Sequence, residues 1–480
     1  MVGAPIVAKI ARIIAAPGLV RRPNEPAPSP DGDYLFVART AVKTVRQHRS
    51  RYGFSMSTPL SRLSYTALLS ACVALAACGG VGTGSSGSGA ASATGTSAGT
   101  TGGTTTGGGT TGGTSGGTTT GGGTAAGTGP AARLAAKLGT PSRLLVGLGG
   151  QGGIADPISA IQSQALKIDI YDEYLGIGDW TSWNSPPCDY VCVVAAAAES
   201  LGAVPMYTQY QMANDGDGNL AGLNDASFMA TYWARVKLLF QDLAAYDKPA
   251  LVNLEPDFWG YAERQAPNSD PSRLSAIVST NPDCATLQND ITGVAGCLIA
   301  MARKYAPKAY IGFPPSAWGG DSDADVVAFM NAVGAQNADF IVEQTLDRDA
   351  GCYEVSPQPS YCSRSGSGSG LYWDESNQTH PNFQDHLASA QAYHSGIGNL
   401  PLIWWQTPEG VPSSTPGGTD YHYRDNRVHY FLSHPAELTA VGGLAVVFST
   451  GEIHQTNIAT DGGQFQLLDD AYLKAPAPLP

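Results

Sequence analysis

At 480 residues with 42% hydrophobic content the chain can bury a large core, but 59 glycines show that part of it packs nothing. Residues 1–78 carry 10 of the 27 Lys and Arg and 3 of the 40 Asp and Glu, which leaves 17 against 37 and a formal charge of −20 beyond them. Nucleic acid and anionic surfaces are therefore excluded as expected partners, whereas neutral and cationic ligands stay open.

The stretch MSTPLSRLSYTALLSACVALAACGG starts at Met56, carries Arg62 in a short n-region, and has an apolar run from Thr66 to Ala77. That run is too short to span a bilayer and reads as a signal peptide over 56–78, with 1–55 an upstream extension outside the fold argument. Leu75-Ala76-Ala77-Cys78 resembles the lipobox of bacterial lipoproteins. The resemblance implies export, lipidation at Cys78 and a membrane contact through that lipid; an ordinary cleavable signal would give a secreted chain. Residues 79–138 follow, almost all Gly, Thr, Ser and Ala as far as Pro130. They have nothing to bury and read as a flexible linker, spanning roughly 40 Å over about fifty residues.

From residue 139 to 480, eight short apolar runs alternate with helix-like segments. The runs are 143–150, 167–176, 204–212, 250–260, 309–319, 339–347, 400–410 and 442–451. Eight strands each followed by a helix predict an α/β fold, a single-domain (β/α)8 TIM barrel, with two doubly wound domains as the competitor. Gly147, Gly149 and Gly152 form GxGxxG with Asp172 twenty residues on, but Asp156-Pro157 places the helix start beyond the glycines. A phosphate would miss that helix N-terminus, so no cofactor is expected and the glycines read as a tight loop. Six cysteines outside the signal fall as neighbours, Cys188 with Cys192, Cys284 with Cys297 and Cys352 with Cys362, and read as three disulfides of an oxidising compartment. No metal is expected, because their spacing and that of the histidines lack a zinc pattern.

The run ALVNLEPDFWG places Leu251, Asn253 and Glu255 on one face of a fourth strand, with Glu255 at the C-terminal rim and Pro256 ending the ladder. A carboxyl held there beside Asn253, with Asp257 and Trp259 in the loop above, suits general acid catalysis. Other strand ends repeat acids and amides: Asp172 and Glu173, Tyr207 and Gln209, Glu343, and Trp404, Trp405, Gln406 and Glu409. Seven of eight tryptophans, Trp180, Trp183, Trp259, Trp318, Trp373, Trp404 and Trp405, lie at or after predicted strand ends. An aromatic rim with acids and amides suits sugar rings, with loop anchoring as the plainer explanation for some. GSGSG at 366–370 marks a long loop, and Asp425 within YHYRDNRVHYF reads as a helix N-cap.

On these residues the chain resembles glycoside hydrolases of the (β/α)8 type. NLEP at strand four is similar to the Asn-Glu-Pro of the large retaining clan, although Leu254 separates Asn253 from Glu255 and Gln406 stands near where that clan has its nucleophile; EPD resembles a motif of certain inverting cellulases. The resemblance implies Glu255 as acid/base, with Glu343 as the favoured second carboxylate and Asp172, Glu173 and Glu409 as alternatives. Asn253, Asp257, Trp259, Tyr207, Gln209, Trp318, Trp404, Trp405 and Gln406 would bind a polysaccharide or oligosaccharide, the protein acting as a monomer. A glycan-binding lipoprotein without catalysis, and hydrolysis of a different bond class, are the alternatives.

Overall fold

The computed structural model describes residues 127–176, 180, 188–212, 216, 218–345, 373–416, 418–450 and 454–480. The signal and Cys78, most of the linker, Trp183, Cys352, Cys362 and GSGSG lie outside them. Eight strands, β1 Leu145–Leu148, β2 Ile170–Leu175, β3 Val204–Gln209, β4 Ala250–Leu254, β5 Ala309–Phe313, β6 Phe340–Gln344, β7 Leu402–Thr407 and β8 Gly443–Phe448, close in chain order into a barrel. Every neighbouring pair is parallel, including β1 with β8. This is a (β/α)8 barrel, and each predicted run contributes one strand.

The strands are shorter than the runs because the chain turns off the ladder at the C-terminal rim. β4 stops at Leu254 since Glu255 takes a left-handed φ of 55° and Pro256 offers no N–H. Burial on both faces explains why the runs look almost continuously apolar. Leu145, Ile170, Met206, Leu251, Phe340, Val342, Ile403, Trp405 and Val447 fill the barrel interior. Residues of opposite parity, such as Val146, Tyr171, Tyr207, Val252, Ile341, Trp404 and Val446, pack beneath the surrounding helices.

Those helices are α1 Pro130–Leu138, α2 Pro157–Ser163, α3 Asp189–Leu201, α4 Ala226–Tyr246, α5 Phe258–Gln265, α6 Ile291–Tyr305, α7 Asp323–Val333, α8 Phe383–Gly396, α9 Arg427–Ser433, α10 Pro435–Ala440 and α11 Gln464–Tyr472. Asp156 caps α2 by accepting the Ser159 N–H at 3.0 Å, as its Asp-Pro start predicts. Before β1, α1 starts on a proline and ends on left-handed Gly139, and it buries Ala131, Leu134, Ala135 and Leu138 in the cluster that fills the barrel. Residues 130–138, assigned to the linker by composition, therefore belong to the packed domain. Leu134, Leu138 and three alanines supply enough apolar surface to seal the floor where a glycine-threonine stretch could not. The Gly129 N–H donates to the Pro480 carbonyl at 2.8 Å, so both ends of this domain leave from that floor.

Cys188 and Cys192, with Cα atoms 5.3 Å apart, and Cys284 and Cys297, 5.5 Å apart, form disulfides. The second ties the loop after α5 to α6. Among the described residues no helix is long and apolar enough to cross a membrane. Inside the barrel Gly312 gives room to the Phe340 ring, since a Cβ at 312 would lie 2.2 Å from it. Gly312→Ala is expected to destabilise the barrel by about 1–3 kcal/mol through overpacking, read as a lower midpoint in thermal denaturation.

Candidate active site

Strand parity decides which side chains reach the mouth. On β2, Asp172 and Tyr174 point into the barrel, whereas Tyr171 and Glu173 face the helix layer and bond each other at 2.5 Å. Asp172 is buried: its Oδ1 accepts from the Thr208 hydroxyl at 2.9 Å and its Oδ2 from Trp405 Nε1 at 2.9 Å. Asn253 Nδ2 points at the Thr208 oxygen at 3.4 Å, which directs the threonine proton towards Asp172. An indole N–H can only donate, so both Asp172 oxygens face donors, and these favour the ionised form. Burial opposes them more strongly, and the Asp172 pKa is pushed up to about 7.

Glu409 follows β7 and is fully buried. Its Oε1 accepts from Gln151 Nε2 at 2.6 Å, while Oε2 has no hydrogen-bond partner among the described residues. Burial drives its pKa well above the usual range; the Gln151 bond lowers it, and nearby Asp461 raises it further. The same Gln151 amide donates to the Gly149 carbonyl at 3.1 Å. A Cβ on Gly149 would lie 3.3 Å from Asp172 Oδ2 and 3.2 Å from Ser449 Cβ. The two carboxyl groups thus flank the loop after β1, and its glycine leaves room for Asp172. Glu409 also lines a small polar recess with Ser449, Thr450, Tyr423, Gln455 and Thr456.

Aromatic rings frame Asp172. Trp405 and Tyr174 have centroids 5.6 Å apart, and Tyr174 meets Tyr210 edge-on at 6.2 Å. Gln406 joins them because the β7–β8 register breaks between Trp404 and Thr407 and its φ is 53°, so its amide donates to the Tyr174 hydroxyl.

The two carboxylates favoured from sequence turn away from this interior. Glu255 breaks the strand alternation at its left-handed φ; its Oε2 accepts the N–H groups of Gln211 at 2.9 Å and Met212 at 3.0 Å, fixing the loop after β3. Burial raises its pKa to about 7 against those bonds and against Tyr232 of α4 and Gln209, which lie beside it. Glu343 keeps the alternation and shares the helix-facing parity of Ile341, with Oε1 4.0 Å from His386 Nδ1 of α8. Burial, then the charge of Asp323, pushes Glu343 well above its usual range, and burial, then Arg427, lowers His386 to about 3, so both shifts favour the uncharged forms.

The tryptophan rim is also redrawn. Trp259 packs on Phe258 and Phe313 and donates to the Leu254 carbonyl, Trp404 donates to His386 Nε2, and Trp373 lies on His386 and Phe383. Tyr207 donates to the Val191 carbonyl at 2.8 Å, and it and Gln209 share the helix-facing parity. Trp259, Trp373, Trp404 and Tyr207 thus pack in the cluster between strands and helices. Trp318 stands outside the barrel against Tyr261, and Asp257 lines a recess above β4. Of the expected binding set, Trp405 reaches Asp172, Gln406 reaches Tyr174, and Asn253 touches Asp172 only through Thr208. Thr208, Tyr174, Tyr210 and Gln151 were not anticipated; extending the β4 parity to β2 and β3 would have marked the first three.

No family model and no curated protein matches the chain. Among solved structures it is similar to a GH5-4 broad specificity endoglucanase from Bacteroides salanitronis, at 11% identity over 72% of this chain and 94% of that one, TM-score 0.42. It is also similar to a family 5 xyloglucanase from Paenibacillus pabuli, at 10% identity over 69% and 98%, TM-score 0.40. A D-psicose 3-epimerase from Clostridium cellulolyticum H10 fits at 14% identity over 69% and 97%, TM-score 0.35. Likenesses at this level carry no argument about chemistry; the barrel rests on its own strand order and register.

Proposed function

We propose that the barrel hydrolyses glycosidic bonds in a polysaccharide or cell-envelope glycan, with Glu409 as proton donor and Asp172 as the ionised partner. The observation that carries this reading is the split between two buried carboxyl groups on either side of the β1 loop. Asp172 has donors on both oxygens, while Glu409 keeps one oxygen with no hydrogen-bond partner among the described residues, and burial raises the pKa of both. Environments that separate two acids in this way assign one the base or nucleophile and the other the acid. Tyr174, half-buried beside Asp172, offers a face for a sugar ring, while the buried Trp405 holds Asp172 in place. The bonded cysteine pairs and the lipobox-like Cys78 fit an exported, envelope-tethered enzyme.

A glycan-binding role without turnover is the second reading, favoured by the fact that both Asp172 oxygens are already bonded. The two part on a panel of cellulose, mannan, xylan, galactosaminoglycan and peptidoglycan incubated with the full chain. Release of reducing ends that vanishes in Asp172→Asn supports hydrolysis; saturable binding with no products from any substrate supports the binder. Glu255→Gln serves as the contrast, because its carbonyl can still accept from Gln211 and Met212. Turnover in that variant is expected to stay within a few-fold of wild type, and its collapse would return the catalytic role to Glu255.

A further inference from the structure

The loop after β1 carries Gln151 between two glycines, and every hydrogen of its amide is in use. Nε2 donates one proton to Glu409 Oε1 at 2.6 Å and the other to the Gly149 carbonyl at 3.1 Å, while Gln151 Oε1 accepts the Ile458 N–H at 3.1 Å. Two of these partners are backbone groups, a carbonyl that only accepts and an N–H that only donates. Turning the amide over would set its oxygen against the Gly149 carbonyl and its NH₂ against the Ile458 N–H, so the end that meets Glu409 is always the donor. The loop itself is stitched to the segment after β8. Thr450 Oγ1 accepts the Gly152 N–H at 3.0 Å and donates to the Gly150 carbonyl at 3.0 Å, and Asn457 Nδ2 donates to the Gly152 carbonyl at 2.8 Å. Glu409 is anchored separately, since Gln464 Nε2 of α11 donates to the neighbouring Gly410 carbonyl at 3.1 Å. Gln151 is 5% exposed, so bulk water does not compete for its amide.

From this arrangement we infer that Gln151 is a positioning residue that fixes where Glu409 carries its proton, keeping Oε1 as the acceptor and Oε2 as the hydroxyl. The inference rests on the reading of Glu409 as proton donor and adds which oxygen donates and what sets it. In a carboxylic acid the carbonyl oxygen accepts a hydrogen bond better than the hydroxyl oxygen does. A donor that cannot turn away from Oε1 therefore selects the form protonated at Oε2, the oxygen with no hydrogen-bond partner among the described residues. The same donor supports the carboxylate that remains once the proton has left, so Gln151 also makes release easier than burial alone would allow. Asp461, whose charge opposes ionisation of Glu409, and Arg424 and Asp425, which line the same recess, stand near it as well. Substitutions at Gln151 leave all three in place.

The test is infrared difference spectroscopy of the full chain, with and without Glu409→Gln, at each pH from 5 to 9. The carboxylic C=O band that Glu409→Gln removes belongs to Glu409, and the same subtraction is made in Gln151→Met and Asn457→Ala backgrounds. A C=O that accepts a hydrogen bond vibrates at lower frequency than a free one. In Gln151→Met the band is therefore expected to move to higher frequency and to persist to higher pH, by about one to two pH units. Asn457→Ala loosens the same loop but keeps the Gln151 amide, and should leave the band where it is. Gln151→Asn, one methylene too short for Glu409, should act like the methionine variant and answers if that variant is unstable. A Glu409 band that the Gln151 variants leave unmoved, one that Asn457→Ala moves as far, or no protonated Glu409 at any pH would overturn the inference. A band that moves as expected in a chain that hydrolyses nothing on the polysaccharide panel would remove the catalytic reading and leave the proton placement standing. Hydrolysis whose basic pH limb and Glu409 band both stay unmoved in Gln151→Met would do the reverse.

Discussion

Asp172→Asn is expected to lower kcat by about 10²–10⁴, the usual contribution of a positioned acid or base, while the barrel stays folded. The substitution preserves shape and bonding: the amide oxygen can accept from Trp405 Nε1, and its NH₂ can donate to the Thr208 hydroxyl. What disappears is the negative charge. In the wild type, activity should fall as pH drops through about 7, because Asp172 then takes up a proton. Trp405→Phe removes one of the two donors that favour the anion, so the acid limb of its pH profile should move to higher pH. A residue of purely structural importance would lower activity without moving that limb.

The same group makes a prediction about stability. The folded pKa of Asp172 is raised from an ordinary 3.8 to about 7, so between those values the native state holds a proton that the unfolded chain has lost. Stability from this group is therefore intact below about pH 4 and declines as pH rises towards 7, by on the order of 4 kcal/mol for the full shift. Asp172→Asn should unfold at a higher temperature than wild type at pH 8, with the difference shrinking at pH 4. Thermal melts at the two pH values measure it directly, and a variant less stable than wild type at pH 8 would contradict the assignment of a strained buried charge.

The largest loss of stability is expected from Asp425→Ala. Arg427 is fully buried at the start of α9, donating Nη1 to Asp425 Oδ2 at 2.5 Å and its backbone N–H to Oδ1 at 2.9 Å. Its guanidinium lies 4.9 Å from the Trp373 ring, while Nε and Nη2 make no hydrogen bond among the described residues. Removing the carboxylate leaves a cation in the interior with no countercharge, which costs about 3–5 kcal/mol. Replacing both partners, as Asp425→Asn with Arg427→Met, removes the buried charge together with its partner and should recover much of the loss. Denaturant unfolding of the single and double variants distinguishes this from a general intolerance of change at α9.

The barrel could be read from the chain because parallel strands buried on both faces appear as apolar runs whatever lies at their ends. The candidate site was harder to read because it depends on the last one or two residues of each strand, where regular alternation fails. Counting by twos from Leu251 puts Glu255 inside, and the left-handed backbone at that residue turns it towards α4. At β7 the break works in the other direction and brings Gln406 to Tyr174. Adjacent Trp404 and Trp405 could not be separated by composition, yet one fills the helix layer and the other holds Asp172. Where alternation held, as for Asp172 and Glu343, parity alone would have ranked the first above the second. Glu409 was recoverable only as an alternative, since its link to Gln151 spans 258 positions in sequence.

The seal made by α1 gives the domain a closed pole and an open one. Gly129 and Pro480 meet at the closed pole, so a group joined to the packed domain immediately before Gly129 or after Pro480 is attached on the side away from Asp172. Immobilisation at either of these two points therefore keeps the C-terminal rim of the strands directed outward. A short peptide bridge between the two ends would also yield a circular chain whose new opening could be placed in any helix-to-strand turn on that same pole.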